Sequence, residues 1–371
     1  MEYLDLKYNG ADIHAAIFPF RRKEAHAYIR PSGKCLDTRS QIRSLAEGAE
    51  MLASSLRMRP VFMRWLLSDP ANQTQYLPVE KVCATSVIGQ SPLDGTKAAL
   101  LVILEEDADF SDQGDGVWLD SHGKLWAGDD DTVLAADPRS MTVSYLEKLN
   151  AILARYGATL KDNCLRTWLF VRDIDIDYAD VVRGRNEVFE REGLTRHTHF
   201  IASTGIQGAS PLPSRQVAFN AIADIRIKPE QITYLYGRTH LNPTYEYGVA
   251  FERGTAVDYG DRRHVYISGT ASIDSKGEIV APDDINGQTM RMLENIGVLL
   301  EEAGCGWTDV AHMTVYLRDI ADFQTVSGIM TARFPEIPKA IVLAPVCRPG
   351  WLVETECMAV KKTDNPDYAP Y

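Results

Sequence analysis

The segment HMTVYLRD, residues 312–319, is an apolar run that ends in aspartate, the pattern of a buried β-strand reaching the surface. The same pattern occurs twice more along the chain, as VFMRWLLSD at residues 61–69 and CLRTWLFVRD at residues 164–173. Three copies within 371 residues indicate an internal repeat.

An amphipathic helix is predicted before each of these strands. Its N-caps are Asp37, Asp137 and the pair Asp283-Asp284, because an aspartate side chain accepts hydrogen bonds from the first helical turn. The separations from cap to strand-end aspartate are 32, 36 and, counted from Asp283, 36 residues. Apolar residues at intervals of three, four and three form one buried stripe in each helix. They are Ile42, Leu45, Ala49 and Leu52; Leu146, Leu149, Leu153 and Tyr156; and Leu293, Ile296, Leu300 and Ala303.

Other segments complete each unit. A hairpin is predicted before each helix, within residues 24–37, 116–130 and 264–282, and Ser-Gly and Lys-Gly supply turns in the first and third. A corner and a long final strand close each unit, within residues 89–106, 208–225 and 346–360. Units two and three also carry a second helix, within residues 177–193 and 322–334. Unit one has PANQTQYLP there, residues 70–78, and is therefore degenerate.

We therefore predict an α+β protein of three β-β-α-β-α-β units, spanning residues 1–110, 111–228 and 229–371. The acidic segment 105–116 is the clearest linker. Helices cover only one face of each sheet, so the open faces need partners. Three sheets that pack around a pseudo-threefold axis, with the helices outside, would bury these faces within one chain.

The amino-acid composition argues against several classes of function. The formal net charge of −12 lacks the basic footprint of a nucleic-acid binder. The N-terminus shows no signal-peptide pattern, and no apolar stretch is long enough to cross a bilayer. The six cysteines form no C-x-x-C pair, and no metal-ligand pattern is complete. We expect a cytoplasmic protein without metal or cofactor, acting on a small molecule as a monomer or weak homo-oligomer.

The last strand, within VCRPGWLVETECMAV at residues 346–360, carries the main candidate for chemistry. Glu354 and Glu356 are two residues apart, so both point to one face of the strand. One hypothesis is that Glu354 faces a cleft and transfers protons there. The alternative is that both glutamates lie on a solvated edge.

Three segments of unit three resemble the RidA/YjgF superfamily, also known as the L-PSP endoribonuclease or translation initiation inhibitor family. They are YISGTASIDSKGEIVAPDDINGQTMRMLENIGVLLEEAG, HMTVYLRDIADF and VCRPGWLVETECMAV. The resemblance implies a fold of RidA or chorismate-mutase type in each unit. Further segments, Ser214-Arg215-Gln216 and PTYEYGVAFERG, resemble the chorismatase branch, which hydrolyses chorismate and folds as one chain shaped like a RidA trimer.

The resemblance also implies roles for single residues. It places the cleft glutamate of RidA deaminases, the catalytic acid of chorismatases, at Glu354. Phe251 and Arg253 fall on the first-strand motif and favour the chorismatase side. The carboxylate-binding arginine of RidA deaminases falls near Lys339, and lysine cannot form the bidentate fork that arginine makes with a carboxylate.

The chemistry shared by these enzymes is protonation of an activated C=C or C=N bond followed by attack of water. It needs a carboxyl with a raised pKa and cations that hold the substrate carboxylate. Glu354 suits the first role, and Arg215, Arg253 and Arg348 suit the second; surface ion pairs are the alternative for the arginines. Gln216 is a candidate hydrogen-bond partner or a solvent-facing residue. Cys347 is a candidate pocket residue or an inert buried thiol.

Three functions remain open at this stage. The leading hypothesis is a hydrolytic enzyme acting on a carboxylated metabolite with a chorismate-type enol ether or an enamine or imine. The second is a non-catalytic binder of such a metabolite. The weakest is an L-PSP-type endoribonuclease, because the chain is acidic.

Overall fold

The computed structural model describes residues 1–33, 37–130, 132–133 and 135–371. Within them, unit one contains β1 (Glu2–Tyr8), β2 (Ala11–Phe18), β3 (Glu24–Pro31), α1 (Thr38–Leu56), β4 (Arg59–Leu67), α2 (Pro70–Gln73), β5 (Ala84–Gly89), β6 (Ser91–Pro92) and β7 (Ala98–Glu105). Unit two contains β8 (Phe110–Gly114), β9 (Val117–Asp120), β10 (Lys124–Ala127), α3 (Pro138–Ala154), α4 (Leu160–Asn163), β11 (Cys164–Val171), α5 (Ile174–Arg191), β12 (Ala202–Gln207) and β13 (Val217–Asp224). Unit three contains β14 (Ile232–Leu235), β15 (Gly254–Asp258), β16 (Arg262–Ala271), α6 (Ile285–Glu302), β17 (Val310–Leu317), α7 (Phe323–Arg333), β18 (Lys339–Leu343) and β19 (Val353–Lys362).

The three sheets share one strand order. It is β1-β2-β3-β7-β4-β5 in unit one, β8-β9-β10-β13-β11-β12 in unit two and β14-β15-β16-β19-β17-β18 in unit three, where β6 joins the edge at β18. The threefold α+β repeat is thus confirmed. Each unit contributes six strands to its own sheet, two more than predicted: a first strand and the parallel strand β5, β12 or β18. The boundaries after residues 110 and 228 stay a prediction.

A β-bulge recurs at the same place in all three sheets. The register shifts before Phe62 in β4, before Arg166 in β11 and before His312 in β17. Each of these residues lies seven positions before its strand-end aspartate. Because one extra residue changes the twist of a strand locally, a shared bulge supports equivalence of the units residue by residue.

The helix starts were predicted correctly in all three units. Asp37 and Asp137 accept hydrogen bonds from the Ser40 and Ser140 amides, and in unit three the cap is Asp284, the second residue of the predicted pair. Tyr156 was placed wrongly on the buried stripe, because α3 ends at Ala154 and the Tyr156 side chain is exposed.

The predicted hairpin of unit two is β9–β10. The predicted hairpin of unit three is present as a short one, since Ile273 forms an antiparallel bridge with Ile279 across the turn at Lys276-Gly277. The long strands β3 and β16 pair with the strands that precede them, β2 and β15. Residues 34–36 of the first predicted hairpin lie outside the described residues.

The open faces of the sheets pack against one another. Phe62 of unit one stacks on Trp126 of unit two at 5.5 Å between ring centroids. The Tyr28 hydroxyl and Thr314 Oγ1 lie 2.7 Å apart across the boundary between units one and three. One hydrophobic cluster therefore extends through all three sheets, as the pseudo-threefold arrangement requires.

A buried ion pair crosses each boundary between units. Arg22 lies 2.9 Å from Asp120, Arg166 lies 2.7 Å from Glu356, and Arg262 lies 2.9 Å from Glu24. These pairs join units one and two, two and three, and three and one. Buried charges are tolerated only when they are paired, so each pair constrains which faces can meet.

Gly128 allows a close approach between the backbones of units one and two. A Cβ on this residue would lie 2.3 Å from the Thr85 carbonyl oxygen, and backbone cannot move aside as a flexible side chain can. We predict that Gly128→Ala lowers the free energy of unfolding by about 1–3 kcal/mol, measured by urea denaturation. Gly306→Ala is the control, since a Cβ there has no neighbour within 4 Å. Equal effects of the two substitutions would contradict this packing.

Candidate functional site

A small cavity lies at the boundary between units two and three, and Glu354 lines it. Its free volume of about 30 Å³ holds roughly two water molecules. Unit two contributes α5 and β12, and unit three contributes β16, β19 and the loops before them. The sequence-predicted residues at this cavity are Glu354, Phe251, Arg253, Cys347 and Arg348.

The backbone of β16 makes room for the carboxyl of Glu354. The register of β16 against β19 shifts between Ile267 and Thr270, so Gly269 lies in an irregular stretch beside Glu354. A Cβ on Gly269 would lie 2.1 Å from Glu354 Oε1. No residue larger than glycine fits here without displacing the carboxyl.

Glu354 is protonated at neutral pH. Burial, reinforced by the nearby charge of Glu356, raises its pKa from 4.5 to about 8, although Arg166 and Arg253 act in the opposite direction. The side chain is 4% exposed. The hypothesis of a cleft-facing Glu354 is therefore supported by the geometry, and the solvated-edge alternative is wrong for both glutamates, since Glu356 is 3% exposed.

Glu356 is held by unit two. Its carboxylate accepts hydrogen bonds from Arg166 at 2.7 Å, from the Trp168 indole at 2.8 Å and from the Thr204 hydroxyl at 2.6 Å. Thr204 Oγ1 in turn accepts a hydrogen bond from the Gly269 amide at 2.9 Å. The contacts that hold Glu356 thus extend to the residue beneath the Glu354 carboxyl.

Cationic side chains surround the cavity. Arg253 is buried and donates to the carbonyl oxygen of Asn242 at 3.0 Å, and its guanidinium carbon lies 5.3 Å from the centre of the Phe251 ring. Arg348 is exposed and lies over the Trp351 ring at 5.4 Å. An anionic group that enters the cavity therefore meets positive charge beside a neutral acid.

The thiol of Cys347 is not poised as a nucleophile. Burial raises its pKa to about 12, so the thiol stays protonated. Cys347 is therefore both a residue of the cavity wall and an inert thiol, the two roles that the sequence left open.

The structure places three predicted residues elsewhere. Arg215 and Gln216 lie in the corner before β13, on the side of unit two where Ala209 forms a bridge with Gly89 of unit one. Lys339 begins β18 and lines a cavity of about 210 Å³ between units three and one. Its ammonium donates to the carbonyl of Phe334 at 2.6 Å, and burial lowers its pKa to about 8.

The repeat shows why Glu354 occurs at one boundary. Glu354 pairs with Tyr316, three residues before the strand-end aspartate of unit three. The same positions in units one and two, Leu66 and Phe170, pair with Ala99 and Ala218. The equivalents of the candidate acid are therefore alanines, and Ala99 lines the cavity that contains Lys339.

Sequence reasoning missed Tyr178, Arg185 and Thr204, which line the Glu354 cavity from unit two. Arg185 had a detectable signal. It lies four residues after Val181 and three before Val188 on the buried face of α5, so a charged residue interrupts an apolar stripe. Tyr178 and Thr204 show no such signal.

A second cavity of about 100 Å³ lies on the other side of Arg253, which lines both. Its walls include the side chains of Arg196, Arg238 and Glu252. The Glu252 carboxylate accepts a hydrogen bond from the Phe200 amide at 2.8 Å, and burial raises its pKa to about 7. A ligand too large for the first cavity has to extend past Arg253 into this one.

Together the fold and the cleft define a single-chain pseudo-trimer in which a carboxyl of one unit faces its neighbour. Residues 254–361 match the model of the Endoribonuclease L-PSP family. A RutC family protein of Pyrococcus abyssi is 36% identical over 100 residues, 26% of this chain and 79% of the relative. The chain therefore belongs to the RidA/YjgF family, also described as the L-PSP or RutC family.

Two further relatives are informative. A protein of Rattus norvegicus named 2-iminobutanoate/2-iminopropanoate deaminase is 32% identical over 114 residues, 30% of this chain and 80% of the relative. The crystal structure of a chorismatase matches with a TM-score of 0.65 and 19% identity, covering 81% of this chain and 92% of that one. The second match concerns the fold alone. Among the described residues, no helix is both long and apolar enough to span a membrane.

The protonated state of Glu354 has a consequence for stability. Between about pH 5 and 8 the folded state retains a proton that the unfolded state releases, so this group contributes less stability as the pH rises. We predict that the difference in unfolding free energy, Glu354→Gln minus wild type, increases by at least about 1.4 kcal/mol from pH 5 to pH 8.5, the equivalent of one pKa unit. Urea denaturation at both pH values measures it. A difference that does not change with pH would show that Glu354 ionises normally.

Proposed function

We propose that the protein is a hydrolytic enzyme for a small carboxylated metabolite with an activated C=C or C=N bond. The observation that carries the proposal is the buried Glu354 carboxyl, neutral at physiological pH and placed at a cavity beside Arg253. A carboxylic acid in this state donates a proton to carbon or nitrogen, which an ionised surface glutamate does not.

The reaction follows from this placement. For an enamine or enol ether, Glu354 gives its proton to the terminal carbon of the double bond, and the positive charge forms on the adjacent carbon and its N or O substituent. Water adds to that carbon and returns a proton to the Glu354 carboxylate. The adduct then loses ammonia or an alcohol and leaves a 2-oxo acid. An imine enters the same sequence at the water-addition step once its nitrogen is protonated.

Arg253 suits the role of carboxylate anchor, because it is buried at the junction of the two cavities. Arg348 is exposed at the rim and suits capture of the anion. Positioning of this kind matters because small displacements of a reacting group cost large factors in rate. Arg215, Gln216 and Lys339 lie outside this cavity and have no role in the proposed reaction.

The size of the first cavity supports a compact reacting group. Enamines of the 2-aminoacrylate type and enolpyruvyl ethers share a three-carbon acid, and they differ in the substituent that leaves. The name of the rat relative favours an enamine or imine, and the chorismatase fold is compatible with an enol ether. We propose that the reacting double bond of the three-carbon acid lies at Glu354 and that the rest of the molecule, with any larger leaving group, extends past Arg253 into the second cavity.

Two other functions are less well supported. A non-catalytic metabolite binder would use the same cavity, but it has no need for a carboxyl with a raised pKa. An endoribonuclease would need positive charge along a surface, which the formal net charge of −12 does not favour.

We predict that Glu354→Gln reduces kcat at least about 100-fold, because it removes the transferable proton. Release of ammonia from 2-iminopropanoate generated in the assay, and hydrolysis of chorismate, are measured with each variant.

Arg253→Gln should mainly raise KM. Gly269→Ala should reduce kcat while retaining the carboxyl, since its Cβ occupies the place of Glu354 Oε1.

The matched control is Glu294→Gln, an exposed glutamate on α6, which should leave activity unchanged. Turnover that survives Glu354→Gln would refute the assigned acid. Calorimetric binding of either compound without turnover by the wild type would favour the binder.

A further inference from the structure

The missing second helix of unit one leaves an unassigned cavity. In unit two, α5 packs so closely on α3 that a Cβ on Gly184 would lie 2.5 Å from the Arg139 carbonyl oxygen. Unit one has only the four-residue α2 at this point in the chain, followed by the segment 74–83. A cavity of about 690 Å³ remains between α1, the strands β4 and β5, and this segment.

The walls of this cavity are apolar. They include Ala53 of α1, Met63 and Trp65 of β4, Val87 of β5, Leu77 of the covering segment and Trp118 of unit two. The volume falls within the range of about 300–1,000 Å³ that small-molecule sites occupy. Water gains few hydrogen bonds in such surroundings, so an apolar molecule is the better occupant.

The charges around the cavity indicate a neutral ligand. The charged residues that line it are two acids, Glu50 and Glu80, and two bases, Arg59 and Lys81. Arg59 is also paired with Asp109 at 2.7 Å. An anionic or cationic ligand therefore finds no excess of opposite charge.

The covering segment is fixed at both ends. The Gln73 side chain accepts from the Asp69 amide at 3.0 Å and donates to the Ser68 hydroxyl at 2.9 Å, and Cys83 is fully buried at the other end. Between these ends, Val79 is 100% and Val82 55% exposed. The segment already crosses the place that a helix would need, so a small molecule fits the remaining space better than a partner helix.

We propose that the cavity of unit one binds a neutral, apolar small molecule, of the drug-like size that cavities in this volume range take. This proposal stands apart from the Glu354 cleft and does not depend on the proposed reaction.

The probe for the test is N-phenyl-1-naphthylamine, a neutral fluorophore that brightens in apolar surroundings. We expect saturable binding with energy transfer from Trp65 and Trp118, and a weaker transfer signal in Trp118→Phe. Ala53→Leu places a larger side chain in the cavity and should weaken binding at least tenfold. Ala151→Leu, on the exposed side of α3, is the matched control and should bind as the wild type does.

Thermal unfolding separates loss of the cavity from loss of the fold. Ala53→Leu should melt at the wild-type temperature or above it, because filling a cavity does not weaken packing. Absence of saturable probe binding to the wild type, or full binding by Ala53→Leu, would overturn the proposal. Binding of a peptide with the sequence of residues 174–191, without binding of the probe, would show instead that the site takes a helix.

Discussion

Two carboxyl groups on one face of a single strand, Glu354 and Glu356, set the constraint on which the cleft depends. Both are buried, and two adjacent buried carboxylates repel each other strongly. Unit two compensates one of them, since Arg166 and Thr204 bind Glu356 directly. The other then retains its proton, because burial and the charge of Glu356 both oppose its ionisation. The contact that joins two units is thus also the contact that prepares an acid.

Buried charges also constrain how the three units are arranged around the pseudo-threefold axis. Apolar sheet faces are poorly selective, because many surfaces of similar size can cover them. A buried ion pair is selective, because removing either partner leaves an uncompensated charge at a cost of about 3–5 kcal/mol. Each boundary contains at least one such pair among the described residues: Arg22–Asp120, Arg166–Glu356 and Arg262–Glu24. We infer that these pairs favour one arrangement of three similar units over the alternatives.

Local sequence patterns predicted those parts of the molecule that local interactions determine. The aspartate caps and the buried stripes of α1, α3 and α6 depend on residues three or four apart, and nearly all of them were identified. The strands β5 and β12 were missed because their segments, ATSVIG and ASTGIQ, mix polar and apolar residues without a clear alternation. Lys339 lies at a different boundary from Glu354 because of how distant strands pair, and spacing along the chain does not contain that information.

Glu354 shows most clearly what local sequence patterns cannot predict. From the sequence, a glutamate on a strand is as compatible with solvent as with a cleft, and the resemblance to RidA-like enzymes supplied the difference. Its environment comes from Gly269, 85 residues earlier, and from Arg166 and Thr204 in another unit. Of the predicted carboxylate anchors, Arg253 lies at the cavity, on the segment that leads into β15, whereas Arg215 lies away from it in the corner of unit two. Here too the difference depends on contacts between segments that are distant in the sequence.

The three boundaries between units share the same strand pairings but carry different side chains at equivalent positions. At the positions equivalent to Glu354, alanine in units one and two removes the acid while the strands, bulges and pairings remain. In a trimer of identical subunits, one substitution at this position would alter all three clefts together. In a single chain each cleft changes independently, so one retains an acid, another combines Ala99 with Lys339, and unit one loses a helix without loss of the shared core. The fused chain therefore allows specialisation that a symmetric trimer does not, because the units that lose the acid still supply Arg166, Thr204 and the packing that the remaining acid requires.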